Sequence, residues 1–582
     1  MLYNGGNMNL AKYREKTQEH RWELALFLSI LAVGIFLRTF HFADWLHFEI
    51  DQAFDFDLVA PAVSGGIQNL PLLGPNVGGG LLRLGPAFYY LQYLGAVLFG
   101  NTPAGHAMTV LLLSIAAMPL FYLFCRRYFA RAEALGLLAI FATSLYMVGY
   151  GRFSWSPNVL PFLMLLSFFA LLQSVSPNEK HPARWFLAAV ASVTVTSQIH
   201  FNSLFAAPLI AVAFVAIKRP RFPWKIWLAG LGIVFLFYTP VILNDVKNHK
   251  ENYSYLKEKF AKTKPSDIFA GQTMAQTVQY SAAEFFFINT ANDQINGVKL
   301  KGYGFECKTC RENLGWKVLA LVLFFASFGL LGFKLYTEKN PERWNFLLLT
   351  LLWFGVSLAL IFSIAQSYRM YPRFFLLISP LAIVLYGFVL QLLAPAKNKV
   401  RLGLFGFIVA SLCFLNLQKI VPIFAQLQQA STVPDKAMAL ETGDIFPNSN
   451  RITLAQQIQI VDYIQAQSEL NHFQVYLSSK SEYEPAFWAL LDQRGIHYRD
   501  TIGEKTLFAN ANYFDIRASS ASEKIDPKFS VLATAEFGIL KVYMLTPKIE
   551  FLVGTSQPES TPKLTAEMQT VSQLLTWKKL FQ

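Results

Sequence analysis

Charge is scarce in this chain. Asp, Glu, Lys and Arg make up 15% of its 582 residues, against 54% hydrophobic and 15% aromatic. Mean hydropathy is +0.35. A soluble protein of this length does not read this way, and apolar runs of about 20 residues point to membrane spans. The middles of those runs carry almost no ionisable residues. Proton relays and ion sites need such residues at mid-membrane, which argues against ion-coupled transport. A Walker A loop is lacking too, because no Gly-Lys-Ser/Thr follows the glycine-rich run from Gly74 to Pro86. No spacing of His, Cys, Asp and Glu matches a metal-ligand pattern.

What is present is an alternation. Eleven apolar stretches read as spans: 22–42, 103–125, 131–149, 157–175, 184–200, 202–217, 225–243, 315–336, 344–366, 374–394 and 401–422. Nineteen Lys and Arg crowd six alternate gaps, from Lys12 to Arg401. The short gaps between these hold only Arg83, Arg152, Arg369 and Arg373. Loops with the basic excess stay inside, so the N-terminus is expected in the cytoplasm and the C-terminus outside a cytoplasmic (inner) membrane. The long loop 244–314 does not enter this count, since long loops cross largely regardless of charge. The net charge of +13 then reflects anchoring rather than a nucleic-acid partner. Residues 86–99 are too few to cross about 30 Å of hydrocarbon and are expected to lie in the interface. No small-residue cleavage site follows the first span, which reads as an uncleaved anchor.

Of the four cysteines, Cys125 and Cys413 belong to spans. Cys307 and Cys310 fall in the long outer loop, where a CxxC pair is expected to close a local disulfide rather than bind metal. Beyond residue 422 the chain turns polar. Helical spacing over Ile452–Gln465 and Glu482–Gln493, and strand patterns over His472–Leu477 and Ser530–Leu545, predict a small outer α/β domain. The expected organisation is a transmembrane domain over 1–422 and an extracytoplasmic domain over 423–582.

The polar residues gather at the outer ends of the spans. An acidic segment running from Phe48 to Asp57 follows the first span, and Asp51 and Asp55, four apart, share a helix face. Arg83, Arg152, Arg369 and Arg373 stand where the charge bias disfavours them, which suits a phosphate partner. Arg152 has a second reading as a span-end anchor. His200 is either a substrate contact or a structural hydrogen-bonder. Trp155, Asn158 and Tyr368 complete the candidate substrate contacts, with Trp155 also fitting an interface anchor. This layout suits an active site opening at the outer membrane surface, fed by a lipid from the side.

The motifs follow one another in a recognisable order. After the basic N-terminus and first span come Asp51-Gln52, Gly74-Pro75, Leu84-Gly85-Pro86 with Tyr89-Tyr90, Trp155-Ser-Pro157-Asn158, Gln198-Ile-His200, and Arg373-Phe-Phe before a late span. In this the chain resembles the GT-C superfamily of polytopic glycosyltransferases. More narrowly, it is similar to the family 39 type, which includes protein O-mannosyltransferases and the aminoarabinose transferases that modify lipid A. The resemblance covers roughly residues 20–420. It implies a GT-C-like α-helical membrane protein of about eleven transmembrane helices with interfacial helices besides. It implies a hexosyl- or pentosyltransferase whose sugar donor is linked to a polyprenyl phosphate. The family's leading aspartate, taken as the catalytic base, matches Asp51. Its usual Glu neighbour is Gln52 here, so a role for two adjacent carboxylates does not carry over, and Asp55 becomes the candidate helper.

The chemistry agrees with these residues. One base suffices for an inverting displacement, because the departing phosphate is already a good leaving group. Positive charge is the other need, and Arg373, Arg369, Arg152 or Arg83 can supply it. No sugar nucleotide is needed, in line with the lack of a soluble Rossmann-like domain. No cofactor is required by this scheme. A divalent cation stays open, with Asp51, Asp55 and His200 as contributors. The acceptor is a lipid, a glycan or a protein. Two rivals stand beside this reading: a ligase or polymerase of lipid-linked glycans, which would not need Asp51, and a flippase or transporter, which would need no base.

Overall fold

The computed structural model describes residues 6–77, 80–261, 273–292, 299–301, 304–306, 314–365, 370–393, 399–430, 452–479, 483–496, 498–500, 507–518, 525–554 and 574–582. Among these, eight helices are long and apolar enough to cross a membrane. They are α1 (Gly6–Thr39), α4 (Pro103–Cys125), α7 (Leu160–Ser174, with the turn before it), α9 (Phe201–Lys218), α10 (Trp224–Lys247), α13 (Leu314–Thr337), α14 (Pro341–Ala365) and α16 (Lys399–Gln429). The chain is a multi-pass membrane protein. Its helices differ in place: 83% of the apolar window of α7 is buried but only 11% of that of α10, so α7 is central and α10 peripheral.

The other three expected spans are helical but shorter. Residues 184–200 form α8 (Pro182–Ser197), and 374–394 form a 3-10 turn followed by α15 (Ser379–Leu393). Residues 131–149 are two helices, α5 (Arg131–Thr143) and α6 (Leu145–Tyr150), broken at Ser144. A break inside a membrane protein needs partners for the freed backbone groups. Here the Ser144 hydroxyl donates to the Ile288 carbonyl at 2.6 Å, and the Leu145 amide donates to Asn416 Oδ1 at 2.8 Å. Asn416 Nδ2 donates in turn to the Asn289 carbonyl at 2.8 Å.

Ile288 and Asn289 belong to an unexpected element. The loop 244–314 contains α11 (Glu251–Ala261) and α12 (Met274–Thr290). Thr273 caps α12, accepting from the Gln276 amide, and residues Ser281–Thr290 are all buried. The apolar-run reading assigns this segment to an outer loop; instead α12 packs against α13, α15 and α16. Gln276, Gln279, Glu284 and Asn289 dilute its apolar pattern, and tertiary burial overrides it.

Two helices lie before the second span. α2 (Ile50–Gly65) ends at Gly66, whose φ of +95° disfavours any side chain. α3 (Ala87–Phe99) buries Phe88, Tyr89, Gln92, Gly95 and Ala96. It exposes Leu94, Val97, Leu98 and Phe99, the two-faced character expected of an interfacial helix.

The polar C-terminal part holds α17 (Leu454–Glu469), α18 (Glu484–Gln493) and strands β3 (Gln474–Ser478), β4 (Tyr498–Asp500), β6 (Ala511–Ala518), β7 (Phe529–Phe537) and β8 (Leu540–Pro547); β1 and β2 (Lys299–Lys301, Gly304–Glu306) precede α13, and β5 (Leu507–Phe508) pairs with β9 (Leu552–Gly554). The five strands form one sheet in the order β4-β3-β6-β8-β7, parallel around β3 and antiparallel around β8. α16 runs on to Gln429, past the expected boundary at 422. The final segment returns to the membrane part. The Leu72 amide donates to the Leu575 carbonyl at 2.9 Å, and the Trp577 indole donates to the Tyr90 hydroxyl at 2.8 Å.

Candidate active site

The site is built from the start of α2. Glu49 is its N-cap, and the Glu49 amide donates to Gln52 Oε1 at 3.1 Å, closing a capping box. This places Asp51 in the first turn, where the positive end of the helix favours a carboxylate. Gln52, the departure from the family pattern, is thereby used as a cap.

Asp51 is open to solvent. The Trp155 indole N–H donates to its carboxylate, and the charge of Arg373 acts on it. Surrounding protein raises its pKa above the ordinary aspartate value, while Arg373 and the Trp155 bond pull it back. Trp155 lies in the turn between α6 and α7. Arg373 lies in the 3-10 turn Pro372–Phe375 before α15, which Tyr146 steadies by donating to the Pro372 carbonyl at 2.7 Å. The Arg373 guanidinium sits 4.4 Å from the Tyr371 ring centre, 5.1 Å from Trp155 and 5.7 Å from Phe374. Such an aromatic cage holds the planar fork in one orientation before any substrate arrives.

His200 joins this group. Its ring lies 5.9 Å from Phe374, and the charge of Arg373 reaches it. Its Nδ1 accepts from the Asn202 amide at 3.4 Å, so it also caps α9. The structural reading of His200 is the one seen in its hydrogen bond, and its place beside Arg373 leaves it a candidate substrate contact.

Asp55 sits one turn further along the same face, buried. Tyr89 donates its hydroxyl proton to Asp55 and accepts from Arg83. Burial pushes the Asp55 pKa up to about 8, with Tyr89 opposing. Burial, then Asp55, raises the Tyr89 phenol above its usual value. Arg83 Nη1 also donates to the Gly74 carbonyl at 3.1 Å. The glycine-rich run is thus a hairpin: the Gly74 amide donates to the Leu84 carbonyl at 2.8 Å, and Leu84 back to Pro75 at 3.0 Å. A side chain on Gly74 would lie 2.0 Å from the Gly85 carbonyl, and one on Gly85 would meet the Gln198 side chain at 2.3 Å. Asn252 of α11 pairs with the Arg83 backbone in both directions, at 2.9 and 3.1 Å. The hairpin is a fixed strut rather than a free loop.

The structure does not bring every candidate here. Arg152 Nη1 donates to the carbonyls of Leu37 and Arg38 at 2.9 and 3.0 Å, and Nη2 to Phe40 at 2.7 Å. It covers the last carbonyls of α1, in keeping with its anchor reading. Asn158 is buried, donating to the Phe153 carbonyl at 2.9 Å. Tyr368, Arg369, Cys307 and Cys310 lie outside the described residues. Among the described residues no three His, Cys, Asp or Glu are grouped so as to hold a metal ion. Three participants went unmarked in the sequence: Tyr89 as the partner of Asp55, and Tyr371 and Phe374 as walls of the Arg373 cage. For Tyr371 and Phe374 the signal was aromatics flanking Arg373.

Asp57 faces elsewhere, toward α18. Burial and the charge of Asp492 push its pKa up to about 8 from 3.8. A carboxyl that holds its proton more tightly when folded gives its full stability below the unfolded pKa, near pH 4, and loses it as pH rises toward about 8. Asp57→Asn removes that loss. Its thermal stability in detergent should match the parent near pH 4, exceed it increasingly toward about pH 8, then level off. A gap independent of pH would show that Asp57 is not desolvated at this contact.

No protein-family model matches the chain, and no curated protein matches it. The fold is similar to solved structures. ArnT from Cupriavidus metallidurans, in the apo state and bound to undecaprenyl phosphate, is 12% identical with a TM-score of 0.49, over 93% of this chain and 100% of that one. Archaeal oligosaccharyltransferase AglB from Archaeoglobus fulgidus, in complex with an inhibitory peptide and a dolichol-phosphate, is 12% identical with a TM-score of 0.45, over 81% and 64%. Arabinofuranosyltransferase AftD from Mycobacteria is 12% identical with a TM-score of 0.41, over 91% and 40%. These neighbours are GT-C glycosyltransferases, the superfamily that the sequence resembles.

Proposed function

We propose that the protein is an inverting glycosyltransferase. It takes a sugar from a polyprenyl phosphate and passes it to a hydroxyl of a lipid, glycan or protein at the outer face of the cytoplasmic membrane. One observation carries the reading: a solvent-open carboxylate, Asp51, held by Trp155 and facing the caged guanidinium of Arg373.

The roles follow from charge. Asp51 removes the proton of the acceptor hydroxyl as its oxygen attacks the anomeric carbon. The bond from that carbon to the phosphate oxygen breaks on the opposite side, which inverts the centre. The electron pair leaves with the lipid phosphate, and Arg373 stabilises the charge that develops there. The proton on Asp51 then passes to water. Asp55, with a pKa near 8, is mostly protonated at neutral pH. Asp51, the exposed carboxylate of the pair, is the base in this scheme. Tyr89 and Arg83 tie Asp55 into a network one turn from Asp51. The basic excess on alternate loops supports an N-terminus in the cytoplasm.

Purified membranes containing the protein, given radiolabelled sugars on polyprenyl phosphates, should transfer label to endogenous acceptors. Movement of intact lipid-linked sugar across vesicles, without cleavage of the sugar–phosphate bond, would replace this reading with a flippase.

A further inference from the structure

We infer that Gln457, in the outer domain, is a positioning residue for Asp51, holding the segment that leads into α2. The inference rests on the reading of Asp51 as the base. The first amides of a helix have no acceptor within it. In α17 two of them find acceptors in the segment after α1: Leu454 donates to the Leu46 carbonyl at 3.2 Å and Ala455 to Asp44 at 3.0 Å. Gln457, one turn on, donates its Nε2 to the Phe48 carbonyl at 2.7 Å. Glu49, the next residue, is the N-cap of α2, and Asp51 stands in its first turn. A displacement at Phe48 therefore reaches Asp51 with little chain to absorb it. A second contact fixes the opposite flank, where Gln493 Nε2 of α18 donates to the Asn101 carbonyl at 2.6 Å.

Gln457 is fully buried, and its Oε1 has no hydrogen-bond partner among the described residues. An unpaired buried oxygen carries a desolvation cost that an apolar residue of the same size avoids. What the position gains in return is the donor to Phe48.

Two variants of the full chain test this. Gln457→Met keeps the volume and removes the donor. Turnover should fall about 10-fold, with the donor KM within about 2-fold, because orientation rather than binding is lost. Amide hydrogen exchange over residues 49–56 should quicken. Gln457→Glu keeps a donor while its acid is protonated, which burial favours. Its turnover relative to the parent should be near parity at about pH 6 and drop by about pH 9. Parental turnover and exchange in Gln457→Met would overturn the inference, as would a loss explained wholly by less folded protein. If Gln457→Met does not fold, the pH series of Gln457→Glu decides, and a flat ratio overturns the inference. If the parent transfers no sugar, the proposed function has failed instead; the exchange comparison still judges whether Gln457 holds α2.

Discussion

Asp51→Asn is expected to lower sugar transfer by about 10²–10⁴-fold, the usual contribution of a general base. The substitution keeps the shape, and its amide oxygen can still accept from Trp155. What disappears is basicity. Insertion, folding and donor binding should survive, so the loss should appear in kcat. The parent should show a matching pH signature. Transfer should fall on acidification through a pKa above the ordinary aspartate value, since desolvation by the surrounding protein raises Asp51 even against Arg373 and the Trp155 bond. Asp55→Asn should cost less at neutral pH, because Asp55 is already mostly protonated there. The assay is single-turnover transfer of radiolabelled sugar from a polyprenyl-phosphate donor. Near-parental transfer by Asp51→Asn would eliminate the base and favour a ligase or a flippase.

The second large effect belongs to Arg373. Arg373→Ala should reduce kcat with the donor by about 10²–10³-fold, the range for removing one preorganised group from a developing negative charge. Arg373→Lys should recover part of this. An ammonium restores charge but neither grips two phosphate oxygens nor stacks as a plane against Tyr371 and Trp155. Saturation with acceptor should look parental in both variants, whereas saturation with donor should not. Equal damage on the two sides would indicate that Arg373 serves mainly to hold the turn before α15.

The pairing of Asp51 with Arg373 was legible because both stand at ends of apolar runs that the charge alternation puts on one side, and a membrane collects such ends on one surface. Helix spacing likewise put Asp51 and Asp55 on one face. Other features were hidden for physical reasons. Arg152 and Arg373 look alike in sequence; only the exposed carbonyls at the end of α1 distinguish the first. The break at Ser144 leaves no proline or glycine to mark it, since its partners, Ile288 and Asn416, lie far away in the chain. α12 was invisible to an apolar-run search because amides and Glu284 interrupt it, although its neighbours bury it. In the polar C-terminal part, the helices and three of the strands follow their expected patterns, but β6, the strand central to the sheet, was not foreseen. Nothing in α17 announces that its first turn serves the membrane part.

The return of residues 574–577 onto Leu70, Pro71 and Tyr90 has a consequence for biosynthesis. A ribosome delivers the chain in order, so the loop beside Tyr89 emerges early and its closing partner emerges after every span has been inserted. Until then the Leu72 amide lacks its acceptor, while the Tyr90 hydroxyl has the Pro71 carbonyl, to which it donates at 3.3 Å. The closure joins positions 487 apart in the chain, so the loop beside Tyr89 gains its last partners only after everything between them has been made.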